Sequence, residues 1–144
     1  MNDIRPWEQV EARRRDFFVY EAQAVAIAVG GVANDVINIE ADSNFILQKL
    51  TYEADLAGVA QTWGTRIVPN VTVQITDTGS GRQLMQNPVP IPSIFGSGAL
   101  PFILPNPRLF SRNSTIQVAF TSFEAAVTPT IRLAFIGYKV YGTA

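Results

Sequence analysis

The chain has 144 residues, 47% of them hydrophobic, with a formal charge of −1 and neither cysteine nor histidine. That length supports one domain with a sizeable core, since a domain near this size buries roughly 70% of its unfolded surface. Near-neutral charge argues against the broad basic face of a nucleic-acid binder and against a polybasic membrane patch, and the lack of His and Cys removes disulfides, a Ser-His-Asp triad, a Cys-His pair and an ordinary zinc site.

Residues 1–15 differ in composition from the rest of the chain. Asp3 is placed to cap a short helix with Pro6 in its first turn, and Glu8, Gln9, Glu11 and Ala12 are good helix formers. Apart from Met1 and Ala12 the apolar residues there are Ile4, Trp7 and Val10, and Arg13, Arg14 and Arg15 form a basic cluster. Burying those three side chains supplies at most a few kcal/mol at ~25 cal/mol per Å². Ordering the segment costs on the order of 15 to 30 kcal/mol at 1 to 2 per residue. The expectation is an arm over 1–15 that orders against another subunit, with a frayed terminus as the alternative. A signal peptide needs an apolar core in this place, and no apolar run in the chain approaches the ~20 residues of a membrane span.

A β pattern begins at Asp16. Phe17 to Glu21 reads as a strand, and Gln23 to Val29 as its continuation or a second one, with Val25, Ile27 and Val29 on one face. Gly30-Gly31 with Asn34-Asp35 predicts a turn, then Val36 to Ala41 alternates through Ile37 and Ile39. Phe45 to Tyr52 is apolar on both phases, and its aromatic and β-branched content favours a strand. The clearest strand is Val71 to Thr76, with Val71, Val73 and Ile75 inward, closed by an Asp77 to Gly81 turn whose aspartate and glycines supply the chemistry for reversal. A further strand resumes at Arg82.

Between Pro88 and Pro107 lie six prolines and two glycines, more than a central strand or helix carries. The segment is expected to be a long ordered loop. Its Ile91, Ile94, Phe95, Leu100, Phe102, Ile103 and Leu104 are too apolar for a linker, so it should pack over the sandwich or between subunits. Thr115 to Thr121 and Thr130 to Phe135 alternate again, with Ile116, Val118, Phe120 and Ile131, Leu133, Phe135 inward. The last strand then switches phase to Ile136, Tyr138 and Val140 beside Gly137, which predicts a β-bulge in that strand. About eight or nine short strands and no long helix give an all-β fold, an antiparallel two-sheet β-sandwich of jelly-roll or related Greek-key order over 16–144, with an immunoglobulin-like order still open.

Three stretches, Val71 to Met85, Pro101 to Thr115 and Ile131 to Tyr141, resemble a group of small virion structural proteins of tailed bacteriophages, some of which act as capsid decoration or cement proteins. The likeness spans roughly residues 16 to 141. It implies a non-enzymatic protein without cofactors, made in the host cytoplasm and carried on the capsid surface of the virion. Its implied partners are other copies of itself and the major capsid protein or other virion proteins, with neither nucleic acid nor membrane. A neck or tail position is the nearest alternative.

The residues that suit such contacts are Trp7, Arg13, Arg14, Arg15, Phe95, Phe102, Arg108 and Arg112, because aromatic anchors and guanidinium forks dominate interfaces. An intrachain pair, such as Arg82 with Asp77, is the competing reading for the later arginines. Two further constellations carry chemistry. Glu40 and Asp42 lie two apart on an expected strand, a spacing open to carboxylate catalysis or calcium, or simply to a solvated face. Trp63 with Asp55 and Gln61 is the nearest approach to a sugar site, which keeps a host-glycan-binding module as a further alternative.

Overall fold

The computed structural model describes residues 15–141. Nine strands form two antiparallel sheets packed face to face. The first contains β1 (Arg15–Ala24), β3 (Asn44–Leu56), β7 (Phe102–Phe110) and β9 (Pro129–Val140), in the order β1-β9-β3-β7. The second contains β2 (Val32–Asn38), β4 (Val71–Asp77), β5 (Arg82–Gln83) and β8 (Thr115–Ser122), in the order β2-β8-β4-β5, with β6 (Val89–Pro90) also on β4. A 3-10 turn at Trp63–Thr65 and the single helical turn α1 (Ile91–Ile94) complete the described secondary structure.

The three clearest alternations in the sequence become the core. Val71, Val73, Ile75, Ile116, Val118, Phe120, Ile131, Leu133 and Phe135 all point between the sheets, and none is more than 1% exposed. Alternation fixes register here, because a one-residue slip would turn each of these sets to water. The Asp77 to Gly81 reversal forms as its residues require. Asp77 Oδ1 accepts the Gly79 N–H at 3.0 Å, Gly81 takes a φ of +71°, and Arg82 and Gln83 pair back onto Asp77 and Thr76.

Four local expectations need correction. β1 ends at Ala24, where the chain leaves for the other sheet through Ala26 at φ +50°, so Ile27 enters the core while Val25 and Val29 face solvent. Asn34 and Asp35 lie within β2 and not in a turn; Asp35 Oδ2 accepts the Gln23 N–H at 2.8 Å and ties the edges of the two sheets together. The proline-rich stretch is not a plain loop, because its second half is β7. Pro105 and Pro107 are tolerated there because residues 104–107 of this edge strand leave the ladder: Arg108 pairs with Leu47 and Ile103 with Lys49, and the four residues between have no β3 partner.

The fourth concerns the bulge. β9 keeps one phase throughout, with Leu133, Phe135, Gly137 and Lys139 inward. The irregularity falls on β3, where Leu47 pairs with Gly137 and Lys49 with Ile136, leaving Gln48 extra. Gly137 is needed for close approach: a Cβ at that position would collide with the Ile46 carbonyl oxygen.

Candidate interaction surface

An antiparallel sheet with one face on the core usually shows a polar second face. The outer face of the first sheet departs from this at one end. Phe17 lies opposite Tyr138, Tyr138 opposite Ile46, and Ile46 opposite Leu109, so one apolar row crosses all four strands. The next row runs Val19, Ile136, Lys49, Ile103. Phe17 is 75% exposed, Ile103 64% and Leu109 52%. Toward the other end the rows turn polar, through Glu21, Ala134 and Thr51 to Gln23, Arg132 and Glu53.

Arg15 closes the apolar end. Composition groups it with the arm, yet it begins β1 opposite Val140, with its guanidinium 5.1 Å from the Tyr138 ring centroid. Trp7, Arg13 and Arg14 lie outside the described residues. Phe95 is a correction. It is 2% exposed and packs edge-on against Phe135, with centroids 6.1 Å apart, because the α1 turn folds the chain back onto β3. It belongs to the core of its own subunit and offers no surface to a partner. Phe102 is half-buried in the wall of a groove beside β7.

Arg108 and Arg112 also make contacts within the chain. Arg108 Nη2 is 3.3 Å from Asp77 Oδ2, so it takes the carboxylate expected for Arg82. Arg112 donates its backbone N–H at 3.0 Å and Nε at 3.3 Å to Asn44 Oδ1.

Glu40 and Asp42 sit in the β2–β3 connection, past the end of the strand, and both face one ammonium. Lys139 points inward from β9 with its side chain 4% exposed. Its Nζ donates to Glu40 Oε1, lies 3.4 Å from Asp42 Oδ1, and is 4.1 Å from the Phe18 ring centroid. Burial alone lowers a lysine pKa. Here the Glu40 hydrogen bond and the nearby Tyr20, Glu40 and Asp42 outweigh it and hold the ammonium above its ordinary 10.5. Tyr20, whose hydroxyl accepts the Glu40 N–H at 3.1 Å, is raised above 10.0 mainly by burial. The cluster staples the turn to β9 directly beneath the apolar end of the outer face. Among the described residues no group of three or more His, Cys, Asp or Glu is placed to hold a metal ion.

The sugar-type set is only partly assembled. Trp63 is 88% exposed, with the Arg66 guanidinium 5.4 Å from its ring. Asp55 is buried and occupied by Arg66 Nε at 2.9 Å and by the Thr65 hydroxyl at 3.3 Å.

Sequence reasoning does not single out Phe17, Val19, Ile46, Ile103, Leu109, Ile136 and Tyr138 as a surface. The signal is present in the apolar residues on both phases of β3 and β9, which a one-sided sheet does not require. No protein family, no curated protein and no solved structure matches this chain.

Proposed function

We propose that this chain is a non-enzymatic structural protein of a tailed-phage particle, a decoration or cement protein that docks on the assembled shell as a homo-oligomer. The observation that carries the reading is the pair of apolar rows crossing the outer face of the first sheet, anchored by Phe17, Ile103 and Leu109. Contiguous exposed apolar surface rimmed by polar residues marks a protein contact. Arg15, Arg132 and Glu53 supply such a rim, and Lys49 stands within the second row between Ile136 and Ile103. Successive strands β1 to β4 alternate between the sheets, as do β7 to β9, and we read this order as jelly-roll winding. The resemblance in Val71 to Met85, Pro101 to Thr115 and Ile131 to Tyr141 suggests the virion context.

The mechanism is mechanical. A protein that binds the assembled state and not free subunits stabilises assembly by mass action, by RT ln(1 + [L]/Kd) per site. The test is co-sedimentation with empty shells of the encoding phage, with light scattering for self-association. Saturable binding to shells, and none to free shell subunits, is the expected result. A chain that stays monomeric and remains in the supernatant contradicts the proposal. The exposed Trp63, beside a groove of about 460 Å³ that also includes Tyr52, Glu53 and Arg66, favours a second reading as a glycan-binding module. Signal on a glycan array that is lost in Trp63→Ala would support it.

A further inference from the structure

A second, larger groove of about 680 Å³ opens between the free edges of the two sheets, where β7 faces the β5–β6 stretch. Its volume falls within the roughly 300–1,000 Å³ of small-molecule sites. The floor and walls include Ile94, Phe102, Leu104, Leu84, Met85 and Val89. One end is polar and electropositive. Among the described residues Asp77 is the only acidic one lining the groove, and its carboxylate is already occupied by Arg108 Nη2, the Gly79 N–H and the Ser80 hydroxyl. Arg82, at the same end, is exposed and its guanidinium has no partner among the described residues. Arg108 Nε is buried without a hydrogen-bond partner among the described residues. A buried donor without an acceptor is destabilising.

We infer that this groove binds a small amphipathic anion, an aliphatic chain lying along Phe102 and Leu104 with a carboxylate-like head between Arg82 and Arg108. The charge count selects the head: two guanidinium groups against one carboxylate leave a surplus positive charge. The walls select against a peptide strand. A peptide adding to a sheet edge needs backbone donors, and Pro105 and Pro107 remove two from β7 where it lines the groove. β5 offers only two paired residues. An occupant held by apolar contact and one anionic end needs neither edge. This inference is independent of what docks on the outer face.

The test is isothermal titration of the full chain with sodium decanoate below its micelle concentration, beside decan-1-ol and sodium acetate. Decanoate should bind one to one and about tenfold or more tighter than decanol, and acetate should give no heat. Arg82→Gln should weaken decanoate about tenfold and leave decanol unchanged. Leu104→Glu should remove decanoate binding in a chain that stays folded by circular dichroism, with a lowered thermal midpoint because Leu104 packs on the core, while Phe17→Ser on the outer face should leave binding intact. The inference is overturned by no saturable decanoate binding, by equal affinity for decanol, or by an Arg82→Gln variant that binds decanoate as before. A null titration together with loss of oligomer mass in Leu104→Glu would overturn it in favour of a second copy of the chain in the groove.

Discussion

The outer faces of the two sheets are built on the same backbone geometry and differ in chemistry at one end. On the second sheet the outward rows read Val32, Thr121, Thr72, then Asn34, Ala119, Gln74, then Val36, Gln117, Thr76. Valine appears only on the edge strand, and the centre is threonine, glutamine and alanine, an ordinary wet face. At one end of the first sheet the centre is Tyr138, Ile136 and Ile46 with Lys49, flanked by Phe17, Val19, Ile103 and Leu109. Both sheets send a mainly apolar set inward, so the core does not explain the difference. A partner on one outer face and water on the other is the explanation proposed above.

Replacing the apolar rows should have the largest effect. Phe17→Asp with Leu109→Asp should weaken self-association or shell binding at least about a hundredfold, near 2.8 kcal/mol at 1.4 per tenfold. The thermal midpoint of the isolated domain should barely move, because both side chains are more than half exposed. Thr72→Asp with Thr76→Asp on the second sheet should leave binding within about twofold, since surface changes away from contacts are usually worth less than ±0.5 kcal/mol. Equal losses from both pairs would erase the distinction between the faces.

Next in size is the seam beneath the rows. Gly137→Ala drives a methyl into the Ile46 carbonyl, between Tyr138 and the bulge at Gln48. It should lower unfolding free energy by about 2 kcal/mol, within the 1–3 typical of overpacking, as read from the urea midpoint.

The Lys139 cluster sharpens the comparison from the inward side. Glu40→Gln with Asp42→Asn leaves a buried ammonium without counter-charge. Loss of a fully buried partner costs 3–5 kcal/mol, but both carboxylates are about half exposed and water reaches the site, so about 1–2 kcal/mol is expected. Lys139→Met removes the charge and fills the space beside Phe18, and should change stability by less than about 1 kcal/mol. A lysine variant that unfolds more readily than the double carboxylate variant would contradict this asymmetry.

The smallest effect is a pH dependence. Lys139 is held above 10.5 in the folded chain, so its contribution is complete below the unfolded value and is lost as pH rises through the folded one. Tyr20, raised above 10.0, acts in the same direction, since the unfolded chain releases that proton first. Denaturation midpoints should therefore fall on the alkaline side of 10.0, less steeply in Lys139→Met. Their rise across that range would reverse the assigned signs.

Much of the sandwich is legible in the sequence because alternation is a local signal. Val71, Val73 and Ile75 point inward for the same reason that they alternate with Thr72 and Gln74, and the Asp77 to Gly81 turn depends on residues within itself. The proline-rich stretch is harder to read. Whether Pro105 and Pro107 break a strand or merely mark its edge depends on where β7 sits in the sheet. The β9 phase misleads for a related reason. Gly137 suggests a bulge in its own strand, whereas the extra residue is Gln48 on the neighbouring strand. Lys139 then falls on the inward face, and an ammonium is acceptable there only because Glu40 and Asp42 arrive from a distant turn. A phase switch at Gly137 would also send Ile136, Tyr138 and Val140 to the core, which hides the outer apolar face from a sequence reading. Phe95 shows the opposite error: its setting among prolines suggests an interface, but α1 tucks it against Phe135.

The most direct measurement is co-sedimentation of the full chain with assembled shells, comparing the native sequence with Phe17→Asp/Leu109→Asp and with Thr72→Asp/Thr76→Asp at matched circular dichroism. The outer-face account predicts binding by the native chain and the second-sheet variant and loss of binding by the first-sheet variant. Full binding by Phe17→Asp/Leu109→Asp would contradict it.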